Sequence, residues 1–326
     1  YLITQNIRPI ILNYTANNHF NKYARVINVK WGIPSGKMVG EAISRKLMIF
    51  DVLIRLFLLS RKVKLDVIHC FFAFPAGVSA VLFKFFNKET KVVITVAGDD
   101  VEFLAPINYG LRLNVIENHL IRYCLRNADR VIAPSHFSAN LSIIAGSNNN
   151  KTVLIPFGID LIKIDKFVDE SKFNSPRREH KLNDNYVLIT LCRLHPKKGL
   201  TYLIDGVNKV LKKIENVRLV IVGDGSERAF LEKKVLDLGL NDKVIFTGYI
   251  PNNEKYNLMS MSDIFILPSL SDTFPITVLE AMGCNLPVIV TDNVGVSDYI
   301  HDNDCGYVIP IRNSNKISEC VLYLLQ

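Results

Sequence analysis

At 326 residues, 49% hydrophobic and 21% charged, the chain is long enough for two core-bearing domains of ordinary size. Its six cysteines show no C-x-x-C pair and no metal-ligand spacing, which speaks against a disulfide-stapled secreted protein and for a reduced, cytoplasmic one. The +8 net charge is lopsided: residues 1–160 hold 19 Lys and Arg against 10 Asp and Glu, whereas residues 161–326 hold 20 against 21.

A basic surface confined to one half implies an anionic partner: a membrane face, a lipid phosphate or nucleic acid. Solvated lysines of no consequence are the plain alternative. No leader pattern opens the chain. Its most apolar stretches, 47–59 and 70–86, are broken by Asp51 and Arg55 and by Pro75, Gly77 and Lys84, so neither suits a spanning helix. The expected association is therefore peripheral, at the inner face of a membrane.

In chain order, short β-branched runs at Val67–Cys70, Val92–Val96, Arg130–Ala133 and Val153–Ile155 predict the strands of a first α/β domain. Between the second and third, Leu111–Asn127 reads as an amphipathic helix with Arg112, Arg122 and Arg126 on its polar positions. Such a helix can lie on an anionic bilayer or simply cover its own domain. Residues 163–185, rich in Lys, Asp, Asn, Ser and Arg and containing Pro176, read as a polar interdomain connection. The expected domains are 1–165 and 180–326.

From residue 186 the pattern becomes regular. Runs at Tyr186–Leu191, Arg218–Val222, Lys243–Phe246, Asp263–Leu267 and Pro287–Thr291 predict buried parallel strands, with helices at about 199–213, 226–238, 252–260 and 275–283. Two such doubly wound domains create a cleft at the carboxyl ends of their strands, where α/β sheets bind ligands.

Three segments there carry chemistry. The first, Arg193-Leu194-His195-Pro196-Lys197-Lys198-Gly199, is a basic turn opening a helix. Arg as a planar fork and Lys as a point charge can neutralise a diphosphate, or be surface charge only. The second, Gly223-Asp224-Gly225, ends a strand in a tight turn, either a plain βα turn or one that admits a ligand to the backbone. It lacks the G-x-G-x-x-G fingerprint, which weakens a nicotinamide reading.

The third and most specific runs Leu267-Pro268-Ser269-Leu270-Ser271-Asp272-Thr273-Phe274-Pro275-Ile276-Thr277-Val278-Leu279-Glu280. A strand ends, a loop carries an acid, and a helix starts near Pro275, where a missing N–H costs nothing. The amides of Phe274, Pro275's successors Ile276 and Thr277 would point at a phosphate. Glu280, inside the helix, can accept from two vicinal ribose hydroxyls or be solvated. His69, His119, His136 and His195 have no partner at catalytic spacing and read as structural. Asp302-Asn303-Asp304 spells D-x-D but reads as a loop, so no metal is expected.

These segments resemble the retaining glycosyltransferases of the GT-B fold, family four, also called glycosyl transferases group 1. The likeness takes in Arg193 and Lys198-Gly199, Gly223-Asp224-Gly225, Phe246-Thr247-Gly248, Asp272 to Glu280 and Pro287 to Thr291. In the first half it takes in Asp66 to His69, Pro75-Ala76-Gly77, Thr95 to Asp100, Ala128-Asp129 with Ser135, and Ile155 to Asp160. It implies two Rossmann-like domains facing a central cleft, an acceptor domain followed by a nucleotide-sugar donor domain, and a chain truncated at both ends. It also implies transfer of a sugar from a nucleotide-diphosphate sugar to a hydroxyl acceptor, in polysaccharide, glycolipid or cell-envelope glycan synthesis. The nucleotide sugar is a co-substrate and no cofactor is implied.

By that resemblance Arg193 and Lys198 would hold the diphosphate, Glu280 the ribose, and the backbone around Thr247, Gly248 and Tyr249 the base. Asp272 falls on the first acid of the family's E-x7-E motif, beside the donor sugar, and Gly223 and Asp224 lie in the donor half. Two positions depart from the pattern. Asp272 stands where the family usually has Glu, and Ala97 where it often has His. Alanine cannot bond a sugar hydroxyl, so that role is absent or falls to Asp99 or Asp100 in the candidate acceptor or sugar loop of Gly98, Asp99 and Asp100. A sugar-nucleotide-binding protein or fragment with impaired catalysis is the alternative. Nucleic acid is not expected as a partner, since no recognised module is present.

Overall fold

Apolar runs bounded by polar turns become parallel strands throughout this chain. The computed structural model describes residues 10–13, 25–28, 38–168, 182, 184–302 and 305–326. Two units emerge, Tyr1–Asp51 and Val52–Gln326. In the first, β1 (Ile10–Asn13) and β2 (Arg25–Asn28) pair in parallel, and α1 (Met38–Ser60) follows in the chain.

The second unit holds two sheets. Strands β3 (Val67–Phe71), β4 (Lys91–Thr95), β5 (Arg130–Ala133) and β6 (Thr152–Leu154) lie in sequence order, all parallel. Helices α2 (Val78–Phe86), α3 (Val115–Asn127) and α4 (His136–Ile144) connect them. The helix expected over 111–127 is interrupted: Leu111–Leu113 is a 3-10 turn. Asn114 then caps α3, its side-chain oxygen accepting from the amides of Ile116 and Glu117. The expected polar connection also begins later than 163, because α5 (Leu161–Phe167) is a helix capped by Asp160, which accepts from the Lys163 amide. Most of the remaining connection lies outside the described residues.

The second sheet is β7 (Tyr186–Leu191), β8 (Val217–Val222), β9 (Val244–Gly248), β10 (Ile264–Leu267), β11 (Val288–Thr291) and β12 (Gly306–Ile309). Its helices are α6 (Leu200–Leu211), α7 (Arg228–Asp237), α8 (Asn252–Ser260), α9 (Ile276–Gly283), α10 (Ser297–Asp302) and α11 (Ser314–Leu324). The spatial order β9-β8-β7-β10-β11-β12 reverses direction between β7 and β10. Connections after those two strands leave to opposite sides, which opens a crevice at their carboxyl ends. Every residue of β10 and β11 is buried, as strands covered on both faces require. Among the described residues no helix is long and apolar enough to cross a membrane.

Two polar links join the sheets. Glu102, in the loop after β4, accepts from Lys197 Nζ and Ser271 Oγ, each at 2.5 Å. Ser135, the N-cap of α4, donates to the Thr273 carbonyl at 2.7 Å. Asp100 organises the same β4 loop: its carboxylate accepts from the amides of Ala73, Ala97 and Gly98 at 2.8–3.3 Å.

Burial pushes the Asp100 carboxyl up to about 6, with those amides opposing the shift. A carboxyl raised in the folded state stabilises the protein below its unfolded value of 3.8, and that contribution is lost as pH rises through about 6. Asp100→Asn cannot titrate. The difference in melting temperature, wild type minus variant, should therefore fall between pH 4 and pH 7, which thermal melts at stepped pH will show; a difference independent of pH would refute the assignment.

Candidate functional site

The crevice at the β7–β10 reversal is a cavity of about 650 Å³. Its walls come from loops at the carboxyl ends of four strands of the second sheet, with Ala97 and Tyr109 contributed from the first.

The basic turn after β7 forms one wall. Pro196–Lys198 make a 3-10 turn whose N-cap, His195, accepts from the Lys197 amide through Nδ1 at 3.2 Å. Gly199 ends the turn at φ +63°, and α6 starts at Leu200. Arg193, His195, Lys197 and Lys198 all line the cavity. Arg193 is exposed, whereas Lys198 is paired with Asp272 at 2.5 Å and Lys197 is buried against Glu102 at the same distance. His195, read from the sequence as structural, sits on the wall. Burial, then the neighbouring Arg193, Lys197 and Lys198 charges, hold its imidazole below the ordinary value. Its other neighbour is Tyr109, whose ring meets His195 edge-on at 5.2 Å and faces Lys197 Nζ at 4.4 Å.

The opposite wall is the loop from β10 into α9. Leu270 donates its amide to the Lys197 carbonyl at 2.7 Å, which stitches this loop to the basic turn. Asp272 is held in turn by backbone bonds to Asn293 and Gly295. Pro275 occupies the N-cap of α9, and Phe274, Pro275, Ile276 and Thr277 all face the cavity. The first-turn amides of α9 are thus carried on this wall, where a helix start favours an anion.

Gly223, Asp224 and Tyr249 also line the cavity. The reason for Gly223 is internal: it sits at φ +128°, and a Cβ there would lie 2.0 Å from the Cys192 carbonyl oxygen. Gly225 similarly abuts the Leu194 carbonyl. The G-D-G turn is therefore glycine-rich because neighbouring backbone packs on it, and the ligand-approach alternative is not needed to explain it.

Several expected residues stand apart from the wall. Glu280 is buried behind Lys255, which does line the cavity. Both Glu280 oxygens accept from Lys255 Nζ at 2.8 Å, and Oε1 also accepts from Tyr256 Oη at 2.9 Å. Burial and then Glu280 raise the Tyr256 phenol well above its ordinary value, so it stays a donor. Thr247 and Gly248 close the end of β9, where the Gly248 carbonyl accepts from Gly223 and Thr247, and neither lines the cavity. In the β4 loop, Ala97 is the residue on the wall. Asp100 is fully buried on backbone amides, which leaves its carboxylate no access to an acceptor, while Gly98 and Asp99 do not line the cavity.

Among the described residues no three His, Cys, Asp or Glu gather as a metal-binding group; Asn303 and Asp304 lie outside them. His69 bonds Thr95 Oγ1 at 2.7 Å and His119 the Val115 carbonyl at 2.7 Å, both structural roles.

Two family models match: "Glycosyltransferase Family 4" over residues 3–163 and "Glycosyl transferases group 1" over residues 171–326. N-acetyl-alpha-D-glucosaminyl L-malate synthase of Bacillus anthracis is 26% identical over 82% of this chain and 67% of its own length. Alpha-monoglucosyldiacylglycerol synthase of Streptococcus pneumoniae is 28% identical over 76% of this chain and 56% of its own. The chain thus spans between about half and two thirds of these relatives. Among solved structures, Anabaena Alr3699/HepE in complex with UDP and glucose matches with a TM-score of 0.73 at 20% identity, over 94% of this chain and 78% of that one. That likeness establishes the GT-B fold. With both halves matched in order and the fold in agreement, the chain belongs to the family 4, group 1 glycosyltransferases.

Proposed function

We propose that this chain binds a nucleotide-diphosphate sugar in the β7–β10 cavity and transfers the sugar, with retention of configuration, to a hydroxyl on a glycan or lipid-linked acceptor. The product belongs to polysaccharide, glycolipid or cell-envelope glycan synthesis at the cytoplasmic face of a membrane. Residues 180–326 act as the donor domain and 1–165 as the acceptor domain.

One observation carries this reading: the exposed Arg193 and the Lys198–Asp272 pair share one cavity with the start of α9. A leaving nucleoside diphosphate gains negative charge as the glycosidic bond breaks, and fixed cations beside it stabilise the transition state. Arg193 and Lys198 supply those cations, so no metal or other cofactor is required. The donor has both kinds of group that the resting ion pairs need. Its phosphates replace Asp272 as the partner of Lys198, and its sugar hydroxyls replace Lys198 as the partner of Asp272. The acceptor hydroxyl then attacks the anomeric carbon on the face from which the diphosphate departs, and a phosphate oxygen takes its proton.

The ribose meets the same logic at Glu280. Its vicinal hydroxyls donate to the carboxylate in place of Lys255, with Tyr256 holding the second contact. The relatives' names support a nucleotide-sugar and glycan or glycolipid context, as does the UDP complex of HepE. A binding protein with impaired transfer is favoured by one observation, Ala97 on the cavity wall.

Arg193→Ala and Lys198→Ala should each weaken nucleoside diphosphate binding about tenfold, since a hydrogen bond to a charged group contributes about 1.5–3 kcal/mol. Turnover should fall further, because the charge they meet grows in the transition state. Calorimetry and a donor assay with UDP, GDP and ADP sugars will separate these effects. Unchanged turnover in both variants refutes the assignment; tight donor binding by wild type with neither transfer nor hydrolysis favours the binding-protein reading.

Glu280→Gln should weaken a ribonucleoside diphosphate about tenfold and its 2′-deoxy analogue by less, because only the first offers both hydroxyls. Titration of both ligands against both proteins tests this. Equal losses would place Glu280 in a structural role.

A further inference from the structure

We propose that the Tyr109 hydroxyl donates a hydrogen bond to the diphosphate of the bound nucleotide, as a neutral partner to Arg193 and Lys198; this rests on the donor reading of the β7–β10 cavity. It adds a contact from the first sheet to a site otherwise built from the second. Tyr109 lies in the loop after β4 and lines the cavity.

The loop is held by its own backbone. Leu104 and Tyr109 exchange amide-to-carbonyl bonds at 2.8 and 3.2 Å, so residues 104–109 close on themselves. Asn108 makes the turn at φ +50°, a left-handed conformation that asparagine tolerates better than most residues. The Leu111 amide then ties the chain to the Asp99 carbonyl at 2.8 Å. A side chain carried on such a loop is oriented before a ligand arrives, which lowers the cost of binding.

The ring itself is clamped. Its face meets Lys197 Nζ at 4.4 Å and its edge packs against the His195 ring at 5.2 Å, while Glu102 holds Lys197 from the other side. The hydroxyl, in contrast, has no hydrogen-bond partner among the described residues. Tyr256 shows the usual arrangement, since its hydroxyl donates to Glu280 at 2.9 Å. An enclosed ring with an unused donor on a cavity wall leaves that donor for a ligand.

Charge identifies the ligand atom. Arg193 and Lys198 both act on the Tyr109 hydroxyl, as do Glu102 and Asp99. Burial first, then those two acids, hold the phenol above its ordinary value, so it stays an O–H donor. Arg193 and Lys198 gather anionic oxygens, and these are the acceptors that a phenol beside them meets. A further cation at this position would repel Lys197; a neutral donor adds a bond without that repulsion.

Tyr109→Phe keeps the ring over Lys197 and against His195 and removes only the hydroxyl. Wild type and variant are titrated with UDP, GDP and ADP, and the diphosphate that binds is compared with its nucleoside and its nucleotide sugar. The variant should bind the diphosphate about tenfold more weakly, with nucleoside affinity and melting temperature unchanged. Equal diphosphate affinity in the two proteins overturns the inference, makes Tyr109 a packing residue and leaves the donor reading intact. So does an equal loss for the nucleoside, or a loss confined to the nucleotide sugar, which would put the hydroxyl on the sugar instead. If the variant melts lower, the same comparison still decides, because a disturbed fold weakens nucleoside and diphosphate alike. Wild type that binds none of the three diphosphates overturns the donor reading together with this contact.

Discussion

A carboxylate buried between two sheets must find its partners or destabilise the fold, and Glu102 finds them in the other sheet's loops. It accepts from Lys197 and Ser271, residues 95 and 169 positions away in the chain. Breaking a buried pair by removing one partner costs about 3–5 kcal/mol, so this link constrains both loops strongly. The consequence lies one residue further along each of them. Lys198 follows Lys197 and Asp272 follows Ser271, and those two form the pair at the cavity wall. The buried interaction thus fixes the separation of the cation and the acid that face a ligand. The Leu270 amide on the Lys197 carbonyl and Ser135 on Thr273 reinforce the same registration.

Five strands of the second sheet were legible in the sequence because they read as unbroken apolar runs; β12, only partly buried along most of its length, was not among them. Tyr186–Leu191 was placed to the residue, and the other four predicted strands shift by at most one or two positions. Cavity residues adjoining strand ends were legible for the same reason: Arg193, Lys198, Asp272 and Phe274 to Thr277 follow runs whose direction is known. What escaped depends on contacts between distant segments. Glu102, Tyr109 and Lys255 have no local pattern that marks them; their roles arise because the fold brings them to the basic turn or to Glu280. His195 lay within the motif, yet only the packing of Tyr109 shows that its ring belongs to the wall.

The two departures from the family pattern acquire a spatial meaning. Ala97 lies on the cavity wall and offers no side-chain hydrogen bond to a ligand there. Asp100 does not compensate, since burial holds it on the loop's own amides. Tyr109 and His195 share that wall, and burial followed by the neighbouring cations holds the His195 imidazole below its ordinary value. Asp272, shorter than Glu, meets Lys198 directly.

Electrostatically, the resting cavity is largely pre-neutralised. Lys197, Lys198 and Lys255 each have a carboxylate partner, Glu102, Asp272 and Glu280. Cations held this way are partly desolvated and oriented before any ligand arrives, so less reorganisation is needed when an anion enters. The three pairs differ in what can open them. Glu102 has both oxygens engaged in a buried setting and serves as the fixed point with the buried Lys197, whereas Lys198 and Lys255 are only half-buried on the cavity wall and can be reached. A ligand that is only an anion can take the lysines but strands two carboxylates. A ligand that is only a polyol has the converse defect. On the proposed reading, a nucleotide sugar offers phosphates to the cations and hydroxyls to the acids in one molecule, so both pairs open without leaving a buried charge unmatched. Selectivity for such a ligand then follows from the exchange of partners and does not require a large net positive field.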